Sequence, residues 1–207
     1  MERVYLMDVS VFADPSRRAE ACAALSPYRR AKLGCLTAAW DRWRSLGAAC
    51  VLDAALRPFA LREREMTYAL REGGKPYFKA YPTLYFSLSH AGSFAMCAIS
   101  DRETGADLEQ ARDFSAVRRR FLEEELAAAT PLRLWTLKES YGKLTGRGVA
   151  VLDTTTLTFD GGVHILEHGV PADVSFWEAE LMPGYRMAVC CAGMEPVRPE
   201  ITRIGAT

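Results

Sequence analysis

The chain has 207 residues, enough to bury a full hydrophobic core as one large domain or two small ones. Hydrophobic residues make up 49% of it and charged residues 25%, the composition of an ordinary soluble protein, and 26 basic against 26 acidic residues leave a formal net charge of zero. Nothing global therefore draws it to nucleic acid or to an anionic membrane, and any anion binding must be local. The opening Met-Glu-Arg-Val-Tyr-Leu-Met-Asp lacks the regions of a signal peptide, and no apolar run approaches the ~20 residues of a membrane span, so a cytoplasmic protein is expected. The six cysteines, at 22, 35, 50, 97, 190 and 191, show no C-x-x-C pairing and read as reduced, mostly buried thiols, with Cys190 and Cys191 facing opposite sides of a strand.

Residues 3 to 9 read as a first strand. Ser26-Pro27 is a helix N-cap followed by proline at the first helical position, and a long helix is expected from there to about residue 56. Leu33, Leu36, Trp40, Trp43, Leu46, Cys50 and Val51 recur in three- and four-residue steps and define its buried stripe. Arg29, Arg30, Lys32, Arg42 and Arg44 lie among them, and alone would be a solvated face. Gly73-Gly74-Lys75-Pro76 is a turn by composition. Leu84 to His90, Phe94 to Ser100 and Thr104 to Glu109 read as three strands of an antiparallel meander, which brings His90 close to whatever the third strand carries.

That third strand carries Asp107 and Glu109. Side chains at i and i+2 share a strand face, so the two carboxylates point one way while Leu108 turns into a core. From Phe114 to about Gly146 the reading is helical, broken near Thr130-Pro131, with Arg118 to Arg120 and Glu123 to Glu125 forming a solvated surface. In its second part Trp135, Glu139 and Lys143 recur every four residues and share one face. Gly142 inside that helix costs about 1 kcal/mol relative to alanine, which implies a close neighbour. Three carboxylates and a lysine suit a hard cation such as Mg²⁺, whose remaining positions take water and substrate phosphate oxygens. The implied substrate carries phosphate.

The last third reads as strands at about 155 to 159, 174 to 181 and 185 to 192, with a loose tail beyond Glu195. Gly92-Ser-Phe-Ala-Met-Cys-Ala-Ile and Gly184-Tyr-Arg-Met-Ala-Val-Cys-Cys are offset by about 92 residues, and each follows a strand that contains aromatics. Strand, helices and hairpin thus occur twice. The fold class is α+β: two similar halves, residues 1–103 and 104–207, related by a pseudo-twofold with the active site in the cleft between them.

Gly105-x-Asp107-x-Glu109 followed by Trp135-x-x-Lys138-Glu139-Ser140-x-x-Lys143-x-x-Gly146, with Gly73-Gly74-Lys75-Pro76 and Ser87-Leu88-Ser89-His90 upstream, resembles the 4′-phosphopantetheinyl transferases. The likeness spans roughly residues 25 to 150 and is closest to the surfactin-type branch, in which two similar halves are fused in one chain. It implies transfer of the phosphopantetheine arm of coenzyme A to a serine of an apo acyl or peptidyl carrier protein, releasing 3′,5′-ADP. On that resemblance Asp107, Glu109 and Glu139 hold Mg²⁺, or Mn²⁺ in its place, and Lys143 offsets charge on the phosphates. Lys32, Arg44, Lys75 and His90, with Arg29 as a weaker candidate, hold the nucleotide phosphates. Pro76 and Ser89 complete the coenzyme A pocket. Glu125 best matches a glutamate that relatives place near the active site, so the proton acceptor is Glu139, a bound water or a glutamate near Glu125. Carrier docking falls on the C-terminal half, a monomer suffices, and neither nucleic acid nor membrane is a partner. The rival reading is a coenzyme A-binding sensor or scaffold that has lost transfer. Ala106 stands where relatives more often have a larger aliphatic residue, and carriers of fatty-acid, polyketide or nonribosomal peptide synthesis all remain open.

Overall fold

The structure, a computed structural model, describes residues 1–205. Strand β1 (Glu2–Asp8) leads through a 3-10 turn into α1 (Pro15–Ala23), α2 (Pro27–Gly34) and α3 (Ala39–Leu56). A small hairpin, β2 (Tyr68–Leu70) with β3 (Pro76–Phe78), precedes β4 (Tyr85–Ala91) and β5 (Phe94–Ser100), and β6 (Thr104–Gln110) follows. Three helices come next: α4 (Ser115–Arg118), α5 (Glu123–Ala128) and α6 (Pro131–Thr145). The chain closes with β7 (Thr155–Thr158), β8 (His164–Glu167), β9 (Val170–Pro171), β10 (Val174–Met182), β11 (Tyr185–Ala192) and β12 (Glu200–Arg203).

Two sheets form the centre. One runs β12-β1-β5-β4 and the other β10-β11-β6. In each, a leading strand pairs antiparallel with the second strand of a later hairpin: β1 with β5, Asp8 opposite Phe94, and β6 with β11, Gln110 opposite Tyr185. Strand alternation then sorts the side chains into layers. Tyr5, Met7, Ala95, Cys97 and Ile99 face α3, where Leu46, Leu52 and Leu56 cover them. The alternate residues Val4, Leu6, Met96 and Ala98 meet Ala106, Leu108, Met187 and Val189 of the other sheet. Beyond that sheet, Ala188 and Cys190 pack under Leu134, Leu137 and Tyr141 of α6. The order helix, sheet, sheet, helix leaves α3 and α6 on opposite outer faces.

All six cysteines are free thiols. Cys190 lies under α6 and Cys191 between the sheets, so adjacent residues are buried on opposite faces as alternation requires. Three expectations are corrected. The third strand of the expected meander, β6, pairs with β11 in the other sheet and not with β5, so only β4 and β5 form a hairpin. The helix read from residue 26 to 56 is two helices. It breaks after Gly34, where Arg42 reaches back to donate to the carbonyls of Leu33 and Leu36 at 3.1 Å each. Trp40 accordingly leaves the buried stripe, is 44% exposed, and packs its ring on Trp43 instead. The tail read as loose beyond Glu195 includes β12, which pairs parallel with β1 from Arg3 opposite Glu200 to Leu6 opposite Arg203. The last strand therefore joins the sheet of the first, a long-range pairing with no local signal.

Candidate active site

A cleft of about 540 Å³ opens beside the edges of β4 and β6, with α6 on one wall, α2 and α3 on the other, and the 73–76 turn against the last turn of α6. The acidic wall forms because two elements come unusually close. A side-chain Cβ at Gly105 would lie 2.0 Å from the Ser140 carbonyl oxygen and 2.2 Å from Leu144 N, so only glycine lets β6 lie against α6. Helix α6 starts where Thr130 caps Arg133 N with Pro131 at the first position, and stops at Gly146, whose φ of 74° needs no Cβ. Gly142 also has the close neighbour its sequence position implied: a Cβ there would sit 2.4 Å from Gly148 O.

Asp107 and Glu109 share the cleft face of β6, while Leu108 is 1% exposed in the core. Trp135, Glu139 and Lys143 line the cleft from α6. Lys143 Nζ donates to Asp107 Oδ1 at 2.7 Å and to Ser89 Oγ at 2.8 Å, and Ser89 Oγ itself donates to Asp107 Oδ1 at 2.8 Å. Trp135 Nε1 donates to Glu109 Oε1 at 3.0 Å, and Arg112 lies 3.6 Å from Glu109 Oε2. Two oxygens remain: Asp107 Oδ2 and Glu139 Oε1 are buried without any hydrogen-bond donor among the described residues. Burial, and next the charge of Asp107, push the carboxyls of Glu109 and Glu139 above the ordinary glutamate value.

Orphaned, buried oxygens on two carboxylates beside a third acid, Glu109, are costly unless a cation supplies what the protein does not. Their donor set, all hard oxygen, fits a divalent cation of the Mg²⁺ type. Among the described residues no three acidic, histidine or cysteine side chains form a ready-made cage. Lys143 already bridges Asp107, so substrate oxygens and water would have to complete the coordination.

The opposite wall is cationic. Arg29 is only 4% exposed, and its Nε and one terminal nitrogen have no hydrogen-bond partner among the described residues. Its guanidinium is held beside the rings of Tyr28 and Tyr68 and 3.9 Å from Glu63, a carboxylate fixed by the backbone and hydroxyl of Ser26 and by the hydroxyl of Tyr68. Lys32 lies one turn further along α2, and its ammonium is held below the usual lysine range by burial and by Arg29. His90 stands at the mouth. Though solvent-accessible, its ring is partly desolvated by the surrounding wall, and the charges of Lys143, Arg44 and Lys32 add to that in holding its pKa below the ordinary value.

The structure thus brings Asp107, Glu109, Glu139, Lys143, Lys32, Lys75, Pro76, Ser89 and His90 to one cleft. Three side chains depart from expectation. Arg44 does not line the cleft: its Nε donates to Gly92 O and one terminal nitrogen to Asp41, both at 3.0 Å. Lys75 lines it, yet its ammonium donates to the carbonyls of Thr104 and Leu144, at 2.9 and 2.8 Å. Glu125 is 1% exposed and sealed against Lys138, itself fully buried, while also accepting from Leu122 N and Leu157 N. It is a structural anchor rather than a cleft carboxylate, because its four acceptor contacts leave it no free face. Sequence reading gave no role to Ser45, which lines the cleft from α3. It also underrated Arg29. The signal available for Arg29 was its spacing of three residues from Lys32 just inside the Ser26-Pro27 cap, which places both on one helix face.

A pocket between two sheet-and-helix layers, with carboxylates and an ammonium on one wall and further cations on the other, is the kind of site that fits an enzyme acting on a phosphate-bearing substrate. No protein-family model matches the chain. It is 30% identical over 188 residues to a 4′-phosphopantetheinyl transferase of Bacillus subtilis, an alignment covering 82% of this chain and 83% of that one. It is 29% identical over 186 residues to the 4′-phosphopantetheinyl transferase Sfp of Bacillus subtilis strain 168, covering 81% and 82%. Against the 4′-phosphopantetheinyl transferase HetI of a Nostoc strain it is 39% identical over 85 residues, about a third of each chain. The chain belongs to the surfactin-type 4′-phosphopantetheinyl transferases.

Proposed function

We infer that this cleft is where the family's reaction takes place. The protein transfers the 4′-phosphopantetheine arm of coenzyme A to a serine hydroxyl of an apo carrier protein and releases 3′,5′-ADP. The observation that carries the assignment of the site is the pair of buried oxygens on Asp107 and Glu139 that find no donor among the described residues, beside an ammonium and across from a buried guanidinium with two nitrogens free of hydrogen bonds. The rival reading, a coenzyme A sensor without transfer, is not favoured, since the relatives are named as transferases and the acidic set is whole.

Asp107, Glu109 and Glu139 would hold a divalent cation, which supplies Lewis acidity and a template for the pyrophosphate oxygens. The other work falls to side chains. Arg29, Lys32 and His90 take the phosphates remote from the acidic wall, with Arg29 pre-oriented by Glu63 and the two tyrosines. Ser89 and Lys143 sit at the acidic wall, where the bond between the two bridging phosphates breaks and a phosphoester to the carrier serine forms. As negative charge grows on the leaving phosphate, the Lys143 ammonium, fixed by Asp107 and Ser89, needs little reorganisation to meet it. For the serine proton, Glu125 is out of reach in its sealed pair with Lys138. Glu139 is the cleft carboxylate left to accept it, through the oxygen that the cation does not take.

Both walls come from one chain, which supports a monomer, and the repeated strand order supports two related halves meeting at the cleft, with β12 crossing back to the first. Free cysteines support a reducing, cytoplasmic setting. Among the described residues no helix is long and apolar enough to cross a membrane. Intact-protein mass spectrometry of an apo carrier incubated with the protein, coenzyme A and Mg²⁺ tests the reading, beside a Glu109→Ala control. One phosphopantetheine added to the carrier, absent without the metal and in the control, is expected. Carriers from several pathways left unmodified while coenzyme A still binds would overturn it in favour of the sensor.

A further inference from the structure

Three backbone segments remote in sequence converge under the cleft: the 72–75 turn, the start of β6 and the last turn of α6. They touch closely enough that a Cβ at Gly73, whose φ is 84°, would lie 2.2 Å from Gly146 O. The Lys75 side chain, 11% exposed, sits at their junction. Its ammonium has three N–H donors. One goes to Leu144 O at 2.8 Å and one to Thr104 O at 2.9 Å, and the carboxylate of Glu103 lies 3.7 Å away. Two of its three donors are thus spent on backbone carbonyls, and the Glu103 carboxylate stands at ion-pair distance from the same nitrogen. Leu144 O is one of the last four carbonyls of α6, which have no donor within the helix and carry the negative end of its dipole.

We propose that Lys75 is a positioning residue rather than a phosphate ligand. Its ammonium caps α6 from another part of the chain and ties that helix to β6. Leu144 follows Lys143 directly, and Thr104 lies three residues before Asp107, so the clasp fixes the pairing of Lys143 with Asp107 from both sides. The inference rests on the reading that α6 and β6 carry the chemistry.

Steady-state kinetics of carrier modification separates the two roles, with wild type, Lys75→Met and Lys75→Arg compared. A clasp predicts that Lys75→Met lowers kcat roughly tenfold or more, as small misplacements of reacting groups do, with KM for coenzyme A within about twofold. Lys75→Arg, whose fork can reach both carbonyls, recovers most of that loss. Amide hydrogen exchange through residues 142–146 quickens in Lys75→Met and much less in Lys75→Arg. A tenfold rise in KM for coenzyme A in either variant, or a kcat unchanged in Lys75→Met, overturns the proposal. If Lys75→Met does not fold, the KM and exchange criteria are applied to Lys75→Arg alone. An inactive wild type would count against the transferase site, not against the clasp.

Discussion

Glu139 shows how function is kept at the expense of local comfort. Its Oε1 is buried with no donor, and burial together with Asp107 and Glu109 raises its pKa. A carboxyl with a higher pKa folded than unfolded binds its proton more tightly in the native state. Stability therefore falls as pH rises from the unfolded value through the raised one, and above the raised value the penalty is fully present. Glu139→Gln removes the charge while keeping the shape. The expected outcome is a higher Tm than wild type at pH 7.5, a gap that shrinks as pH falls toward 4.5, and a kcat lower by about 100-fold or more. Thermal melts across pH with parallel assays check this, and a variant less stable than wild type at pH 7.5 would sink the argument.

Helix α6 is the element on which the site turns. Its sequence caps it at Thr130-Pro131 and Gly146, but its placement depends on glycines that let other backbone approach. Gly142→Ala tests which effect dominates. Helix propensity alone predicts a gain of about 1 kcal/mol. Overpacking against Gly148 O, where the new Cβ would stand at 2.4 Å, costs about 1–3 kcal/mol. Urea unfolding should show the midpoint fall, with kcat reduced because Lys143 follows on the same turn. A midpoint raised above wild type would mean that the 146–149 segment yields freely and does not fix the helix.

At the scale of the whole molecule, the cleft joins an acidic wall from one sheet-helix layer to a cationic wall from the other, so coenzyme A should brace them together. A ligand at 100 times its Kd stabilises by about 2.7 kcal/mol, roughly 5–10 °C in Tm for a chain of this size. Coenzyme A alone should raise Tm through Arg29, Lys32 and His90, and Mg²⁺ with coenzyme A should raise it further. In Glu109→Ala the first increment should persist and the second vanish. Scanning fluorimetry with chelator and with Mg²⁺ reads both. Loss of the first increment in that variant would show that the two walls do not act separately.

The sequence by itself determined the chemistry-bearing faces. Period-two alternation set Asp107 and Glu109 together with Leu108 inward, and a four-residue step set Trp135, Glu139 and Lys143 on one side, because both patterns are fixed by local backbone geometry. It also determined most central strands, whose apolar alternation needs no distant partner to be read. Only tertiary structure decided where long, flexible cations point. Arg44 turned to Gly92 O, Lys75 to two carbonyls, and Arg29 became a buried guanidinium beside Glu63, since each outcome depends on which remote acceptor lies within reach. Tertiary structure likewise made Glu125 an anchor for Lys138 and sent β12 across to β1. Those pairings span distances along the chain over which local propensity carries no information.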